Sequence, residues 1–219
     1  MRGLQDGYDR VAVDYAREFA DELDKKPFDR KMLDWLVEKV AGRGAICDMG
    51  CGPGQVARYL RGLGAEACGV DLSAEMVSHA RRLNPDIPFQ QGDMLALSQI
   101  ADEAYGGIAA FYSLIHVPRP SLVDALRELN RVLRPAGALL ITFHLGRETL
   151  HKDEFFGQEV SMDFHFFESA EMKEYLTAAG FQLEEAIERD PYPPEVEYQS
   201  RRAYIFARKP NPKPALARS

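Results

Sequence analysis

Short apolar runs alternate along this chain with longer stretches whose apolar residues recur every three or four positions. That pattern predicts strands alternating with helices, and hence a mainly parallel sheet. Residues 8–41 carry two helical faces before the break at Gly42 and Gly44. Val11, Tyr15 and Phe19 lie on one, and Met32, Leu33, Leu36, Val37 and Val40 on the other. Strands are expected at 45–49, 66–70, 88–91, 107–112 and 138–143, the last following a turn at 134–137. Between them the spacing predicts a helix over 56–63. A second is capped by Ser73 with Met76, Val77, Ala80 and Leu83 on one side, and a third is capped by Ser121 with Leu122, Leu126, Leu129 and Leu133 in register. A helix opening at Ser169 ends at Gly180, and 181–188 and 198–208 read as a closing pair of strands. If those two form a hairpin, the last strand runs against its neighbours.

The stretch 144–168 fits neither period. It is polar at first and then dense in Phe155, Phe156, Phe164, Phe166 and Phe167. A loop of ~25 residues without structure of its own is uncommon in a compact domain and is usually functional. It reads either as a cap over a pocket or as aromatic filling for the core beside the last helix. No internal repeat and no second domain is visible. The expected organisation is one domain over 1–209, with 1–43 as a helical cap, 144–168 as an aromatic cap loop and 210–219 as a disordered tail.

Composition narrows the function classes. With 219 residues, 46% hydrophobic and 28% charged, the chain has the make-up of an ordinary globular domain. A net charge of -7 argues against a nucleic-acid partner, which needs clustered Lys and Arg. The pairs Lys25-Lys26, Arg81-Arg82 and Arg201-Arg202 are dispersed and read as solvated faces. No apolar run approaches the ~18 residues of a membrane span. The polar opening MRGLQDGYDR leads us to expect no secretory signal, and three cysteines suit a reducing compartment. The expected setting is cytoplasmic and the expected partner a small molecule.

The chemistry concentrates in Asp48-Met-Gly-Cys-Gly-Pro-Gly54, between a predicted strand and a predicted helix. Gly50, Gly52 and Gly54 allow a sharp turn and close approach of a ligand, at the strand end where open α/β folds bind ligands. The following helix points its free N–H groups at the same place and favours an anionic group. Asp71, ending the next strand, is placed to accept hydrogen bonds from both hydroxyls of a ribose. The G-x-G-x-G spacing puts Gln55 where a dinucleotide site requires its third glycine, and Asp48 would repel a pyrophosphate while attracting an ammonium. A nucleoside bearing an amino-acid tail satisfies both features, which describes S-adenosylmethionine.

At these residues the chain resembles the seven-stranded, Rossmann-like (class I) S-adenosylmethionine-dependent methyltransferases of small-molecule type. DMGCGPG is similar to their first motif, GVDLS to the segment with the ribose acid, and GDM to the adenine-contacting segment. YSLIHVP and LNRVLRPAGALLITF resemble the segments around the fourth and fifth strands. The resemblance covers nearly the whole chain. It implies strand order 3-2-1-4-5-7-6, the seventh antiparallel, with helices on both faces. It implies a cofactor site of Asp48, Gly50, Cys51, Gly52, Gly54, Asp71, Leu72, Asp93 and Met94, with Tyr112 beneath the methionine portion, Met76 on the adenine and Tyr15 closing over the cofactor. The product would be S-adenosylhomocysteine.

Methyl transfer from a sulfonium needs alignment and exclusion of water, and a base only if the acceptor must lose a proton. His116 and His144 fall at the sheet edge where an acceptor should lie, and are the catalytic candidates; each could instead shape its loop. His165 reads as part of the aromatic cap, and His79 and His151 as surface residues. The spacings of Cys47, Cys51 and Cys68 make no metal clip, and no metal is expected. The expected reaction is methylation of a small molecule, at a hydroxyl oxygen before nitrogen or carbon. The rival readings are an NAD-dependent oxidoreductase and a non-catalytic cofactor-binding module.

Overall fold

The computed structural model describes residues 2–212, and of Arg2 only the backbone. Six helices are α1 Arg2–Phe19, α2 Pro27–Val40, α3 Gln55–Gly62, α4 Ala74–Leu83, α5 Arg119–Val132 and α6 Ser169–Ala178. Nine strands are β1 Ile46–Met49, β2 Ala67–Asp71, β3 Phe89–Gln91, β4 Tyr105–Phe111, β5 Leu133–His144, β6 Thr149–Phe155, β7 Gln158–His165, β8 Gln182–Arg189 and β9 Arg202–Arg208. Seven of them form one sheet in the order β3-β2-β1-β4-β5-β9-β8, with β9 antiparallel to both neighbours. Counted within the sheet, this is the expected 3-2-1-4-5-7-6. The strands β1 to β5 pair in parallel.

Alternation along the central strands builds a core on each face of the sheet. Ile108, Leu139, Ile141 and Phe143 pack beneath α5 and α6, against Leu122, Leu126, Leu129, Met172 and Leu176. Ala109, Ala138 and Leu140 turn the other way, toward Met32, Leu33 and Leu36 of α2 and Val56 and Leu60 of α3. Each fully buried leucine contributes ~1.5–3 kcal/mol through apolar burial alone. Ser73 caps α4 as expected, accepting from the Met76 N–H at 3.0 Å.

Several features differ from the sequence reading. The single helical stretch 8–41 divides into α1 and α2 around a 3₁₀ turn at Glu22–Lys25, because Pro27 cannot continue a helix and instead starts one. Ser121 is not a cap: α5 begins at Arg119 after Pro118, with Pro120 in its first turn, and Ser121 already donates its N–H to the Pro118 carbonyl. The turn at 134–137 is an irregularity inside one long strand, where Leu133 pairs with Tyr105 and Ala138 with Gly107. His79 is buried, only 9% exposed, rather than a surface residue.

The stretch 144–168 holds the hairpin β6–β7 instead of an irregular loop. Phe156 and Gly157 at its tip both have positive φ, 50° and 71°, as a tight two-residue turn demands. The aromatic residues divide between the two readings. Phe167 is core and meets Phe143 edge-on at 6.1 Å, whereas Phe166, also buried, stacks on His144. Phe155, Phe156 and Phe164 join Val160 and Met162 against α1, where Val11, Tyr8 and Tyr15 complete a separate apolar cluster. Helix α1 and the hairpin therefore cover the carboxyl edge of the sheet together. Of the proposed tail, 210–212 have no regular structure and 213–219 lie outside the described residues.

Candidate active site

Two adjoining cavities, of about 80 and about 240 Å³, open at the carboxyl ends of β1, β2 and β4 and share Tyr8, Tyr15, Gly50, Gly52, Phe111, Tyr112 and His116. The smaller is floored by Val70, Asp71, Leu72 and Met76, with Asp93 and Met94 on its far side. The larger runs from Asp48, Cys51 and Gln55 past Tyr112 to His144, Tyr198 and Arg202. All the cofactor residues expected from the sequence line one or other cavity except Gly54. At Gly54 φ is 88°, and a Cβ would sit 2.8 Å from Phe89 Cζ, so its glycine serves helix–strand packing.

The glycine loop turns over because Gly50 and Gly52 take φ of 77° and 50°. The Gly52 N–H donates to Asp71 Oδ2 and the Ser73 N–H to Oδ1, both at 2.8 Å. Each carboxylate oxygen keeps acceptor capacity facing the cavity. Burial pushes the Asp71 carboxyl up to about 6 despite those bonds. Asp48 is fully buried, accepts the Ala57 N–H of α3 at 3.0 Å, and is held well above the usual carboxylate range by burial. Tyr112 has φ 50°, a conformation uncommon for a residue with a side chain, fixed by its N–H donating to the Thr142 carbonyl and hydroxyl.

Both histidine candidates face the larger cavity. His116 donates from Nδ1 to the Asp163 carbonyl at 2.9 Å, since a carbonyl can only accept, and its Nε2 accepts from the Tyr8 hydroxyl at 2.7 Å. His144 stacks on Phe166 at 4.9 Å, and its Nδ1 lies 2.7 Å from the Ser200 hydroxyl. That hydroxyl also accepts from Arg202, and when it donates its own proton to Nδ1 the His144 proton sits on Nε2. Burial lowers the imidazole pKa to about 4 at His116 and, helped by the Arg202 charge, to about 3 at His144. His165, by contrast, bonds Thr149 within the hairpin, and His151 pairs with Asp153 and Asp163 on the surface.

Sequence reasoning missed several cavity residues. Tyr8 lies seven residues before Tyr15, two helical turns along one face of α1, a signal that could have found it. Lys26 and Arg202, expected as solvated charges, are 7% and 3% exposed and line the larger cavity. Gln55 donates to Glu22 at 2.8 Å, while its Oε1 is a buried acceptor with no hydrogen-bond partner among the described residues.

Residues 46–137 match the methyltransferase domain family, spanning β1 to the start of the β5 core run. Over these residues the chain carries a methyltransferase domain, and its relatives support a class I S-adenosylmethionine-dependent methyltransferase. Among similar proteins, the malonyl-[acyl-carrier protein] O-methyltransferase of Enterobacter lignolyticus is 33% identical over 60% of this chain and 52% of that protein. The putative methyltransferase YqeM of Bacillus subtilis is 27% identical over 59% and 54%. The chain thus spans about half the length of the curated relatives it matches. The fold recurs in an S-adenosylmethionine-dependent methyltransferase from Methanosarcina mazei, with TM-score 0.71 and 17% identity over 80% of this chain and 97% of that one. It recurs also in the [4+2]-cyclase SpnF, with TM-score 0.65 and 23% identity over 84% and 81%.

The family's cofactor is S-adenosylmethionine, and the residues present fit it. The Asp71 carboxylate offers paired acceptors for ribose hydroxyls. Val70, Met76, Met94 and Val117 line an apolar slot of the kind an adenine ring needs, and Asp93, which accepts the Leu95 N–H at 2.9 Å, stands beside it. The orphaned Gln55 Oε1 and the Asp48 and Glu22 carboxyls give the larger cavity an end suited to an ammonium group.

Proposed function

We propose that this protein transfers a methyl group from S-adenosylmethionine to a small molecule, at a hydroxyl oxygen, in the cytoplasm. The observation that carries the reading is continuity. The cavity built by the glycine loop and Asp71 adjoins one lined by Asp48, Phe155, Phe164, Phe166, His116 and His144, and the two share Gly50, Gly52 and Tyr112. A sulfonium-bound methyl group supplies the activated carbon. The acceptor oxygen forms a bond to that carbon as the carbon–sulfur bond breaks, the electron pair goes to sulfur, and a hydroxyl acceptor loses its proton to water or to a cavity side chain.

The residues bind, align and exclude water. Asp71 holds the ribose, Asp48, Gly50, Cys51, Gly52 and Gln55 surround the tail, and Leu72, Met76, Asp93 and Met94 frame the base. Tyr15 and Tyr8, carried on α1, close over this crevice, and Tyr112 directs the chain beneath the reacting centre. Such alignment can supply ~7–11 kcal/mol of the barrier. His144 offers Nε2–H to the acceptor, while His116 has both ring nitrogens engaged. With depressed pKa values, these imidazoles are weak proton acceptors near pH 7, so we assign them positioning before base catalysis. The O-methyltransferase relatives support oxygen as the acceptor atom.

The test is S-adenosylhomocysteine release from S-adenosylmethionine across pools of hydroxylated metabolites. Release with at least one pool supports the reading. Thermal stabilisation by S-adenosylmethionine without turnover on any pool favours a non-catalytic module, and stabilisation by NAD alone overturns the assignment.

A further inference from the structure

We propose that the acceptor is a carboxylic acid whose carboxylate is anchored by the Arg202 guanidinium at the far end of the larger cavity, with His144 as a second donor. The inference rests on the methyl-transfer reading and deepens it by naming the acceptor's class.

Arg202 is 3% exposed and carries a permanent charge. Its close hydrogen bonds go to neutral oxygens: Nη1 donates to the Ser200 carbonyl at 2.7 Å and to the Ser200 hydroxyl, and Nη2 to the Tyr198 carbonyl at 2.7 Å. Its Nε–H is buried without a partner among the described residues. The nearest carboxylate, Glu197, stands 3.5 Å from Nη2 and is engaged elsewhere. Glu197 receives Arg189 Nη1 at 2.5 Å and Nη2 at 3.1 Å, together with the Tyr192 N–H at 2.7 Å. Arg189 also reaches Asp29 at 3.1 Å, so Glu197 bridges the two arginines and its closer bonds go to Arg189.

Arg202 thus shares one buried carboxylate with Arg189 and keeps an unpartnered Nε–H, a cost that a further acceptor group would relieve. The cavity provides the room. Tyr112 lies with its ring 5.5 Å from the Arg202 guanidinium carbon, and His144, with Nε2–H free, packs against the same Tyr112 at 5.3 Å. The opposite end has the reverse polarity. There Asp48 and Glu22 face the glycine loop, and Lys26, the other buried cation, is paired with Glu22 at 2.5 Å. An ammonium-bearing cofactor tail belongs at that end and an anionic acceptor group at Arg202. Phe155, Phe164 and Phe166 between them suit an apolar or aromatic body.

The experiment measures binding to the full chain saturated with S-adenosylhomocysteine, by calorimetry and ligand-observed NMR. The probes are benzoate, phenylacetate, 3-phenylpropionate and hexanoate, each against its neutral amide. At least one acid should bind at least 10-fold more tightly than its amide. That preference should fall about 10- to 100-fold in Arg202→Met and be partly retained in Arg202→Lys, as removal of a charge-assisted bond implies. Equal binding of acids and amides, or binding of neither series, overturns the proposal, as does an acid preference unchanged in Arg202→Met. Should Arg202→Met not fold, the unaltered protein's acid-to-amide ratio and Arg202→Lys still decide. S-adenosylhomocysteine binding is measured in the same titrations. Its absence would strike the methyl-transfer reading, whereas its presence without acid preference strikes only this inference.

Discussion

The Tyr8 hydroxyl donates to Nε2 of His116 at 2.7 Å, joining the first helix to the 3₁₀ turn Leu114–His116 that follows β4, and His116 passes the connection to the hairpin through its Nδ1–H bond to Asp163. Three elements distant in sequence thus meet over one crevice. Tyr8→Phe removes the bond but keeps the ring against Tyr15 at 5.8 Å. We expect the fold to survive with a loss of about 1 kcal/mol, and S-adenosylhomocysteine to dissociate several-fold faster in stopped-flow measurements. An unchanged off-rate would show that the connection does not restrain the crevice.

The two depressed imidazoles have a consequence for stability. A histidine whose pKa falls on folding binds fewer protons in the native state, so its contribution is complete above the unfolded value of 6.5 and is lost as pH falls toward the folded value. The window runs from pH 6.5 to about 4 for His116 and to about 3 for His144. Asp71, raised from 3.8 to about 6, works in the opposite direction: its native state binds the extra proton, which offsets part of the loss between pH 6 and 4. Denaturant titrations from pH 7.5 to 4 should show declining stability. His116→Gln should flatten the decline, and Asp71→Asn should steepen it.

Gly50 and Gly52 separate folding from binding. A Cβ at Gly50 would run into Ser113 Cβ, and its φ of 77° is strained for any side chain. Gly50→Ala should lower the melting temperature markedly. At Gly52 the added carbon meets only Tyr15, at 3.5 Å, in a conformation that costs ~1–2 kcal/mol. Gly52→Ala should therefore fold but bind S-adenosylhomocysteine at least 10-fold more weakly by calorimetry. Equal loss of stability in both variants would contradict this division of roles.

Asp71→Ala should weaken S-adenosylhomocysteine binding by on the order of 1.5–3 kcal/mol, the worth of charge-assisted bonds. In the unaltered protein, affinity should also fall below pH 6, where the carboxyl protonates. His144→Ala should lower turnover while leaving cofactor affinity within about twofold, because its ring lines the acceptor end of the larger cavity and not the smaller one.

The sheet and glycine loop were legible because they obey local rules. Leu139, Ile141 and Phe143 alternate with Ala138 and Leu140, and the loop glycines sit where only positive φ closes the turn. The hairpin was not legible, because its turn uses Phe156 at φ 50° in place of the usual Asn or Gly, and apolar residues at its tip hid the alternation. Arg202 escaped notice for a different reason. Arg201 is exposed while Arg202 is buried, a difference set by the strand's position beside β5 rather than by the dipeptide itself. Nor could sequence show that Gly54 supports Phe89 instead of a ligand.

The most direct test of the account is a crystal structure of the protein with S-adenosylhomocysteine. The account predicts both ribose hydroxyls on the Asp71 carboxylate, the adenine between Met76 and Met94, and the amino-acid tail running past Gly50 and Gly52 toward Asp48 and Gln55. A nucleoside bound elsewhere, or this crevice closed by Tyr8 and Tyr15 with no ligand at saturating concentration, would contradict it.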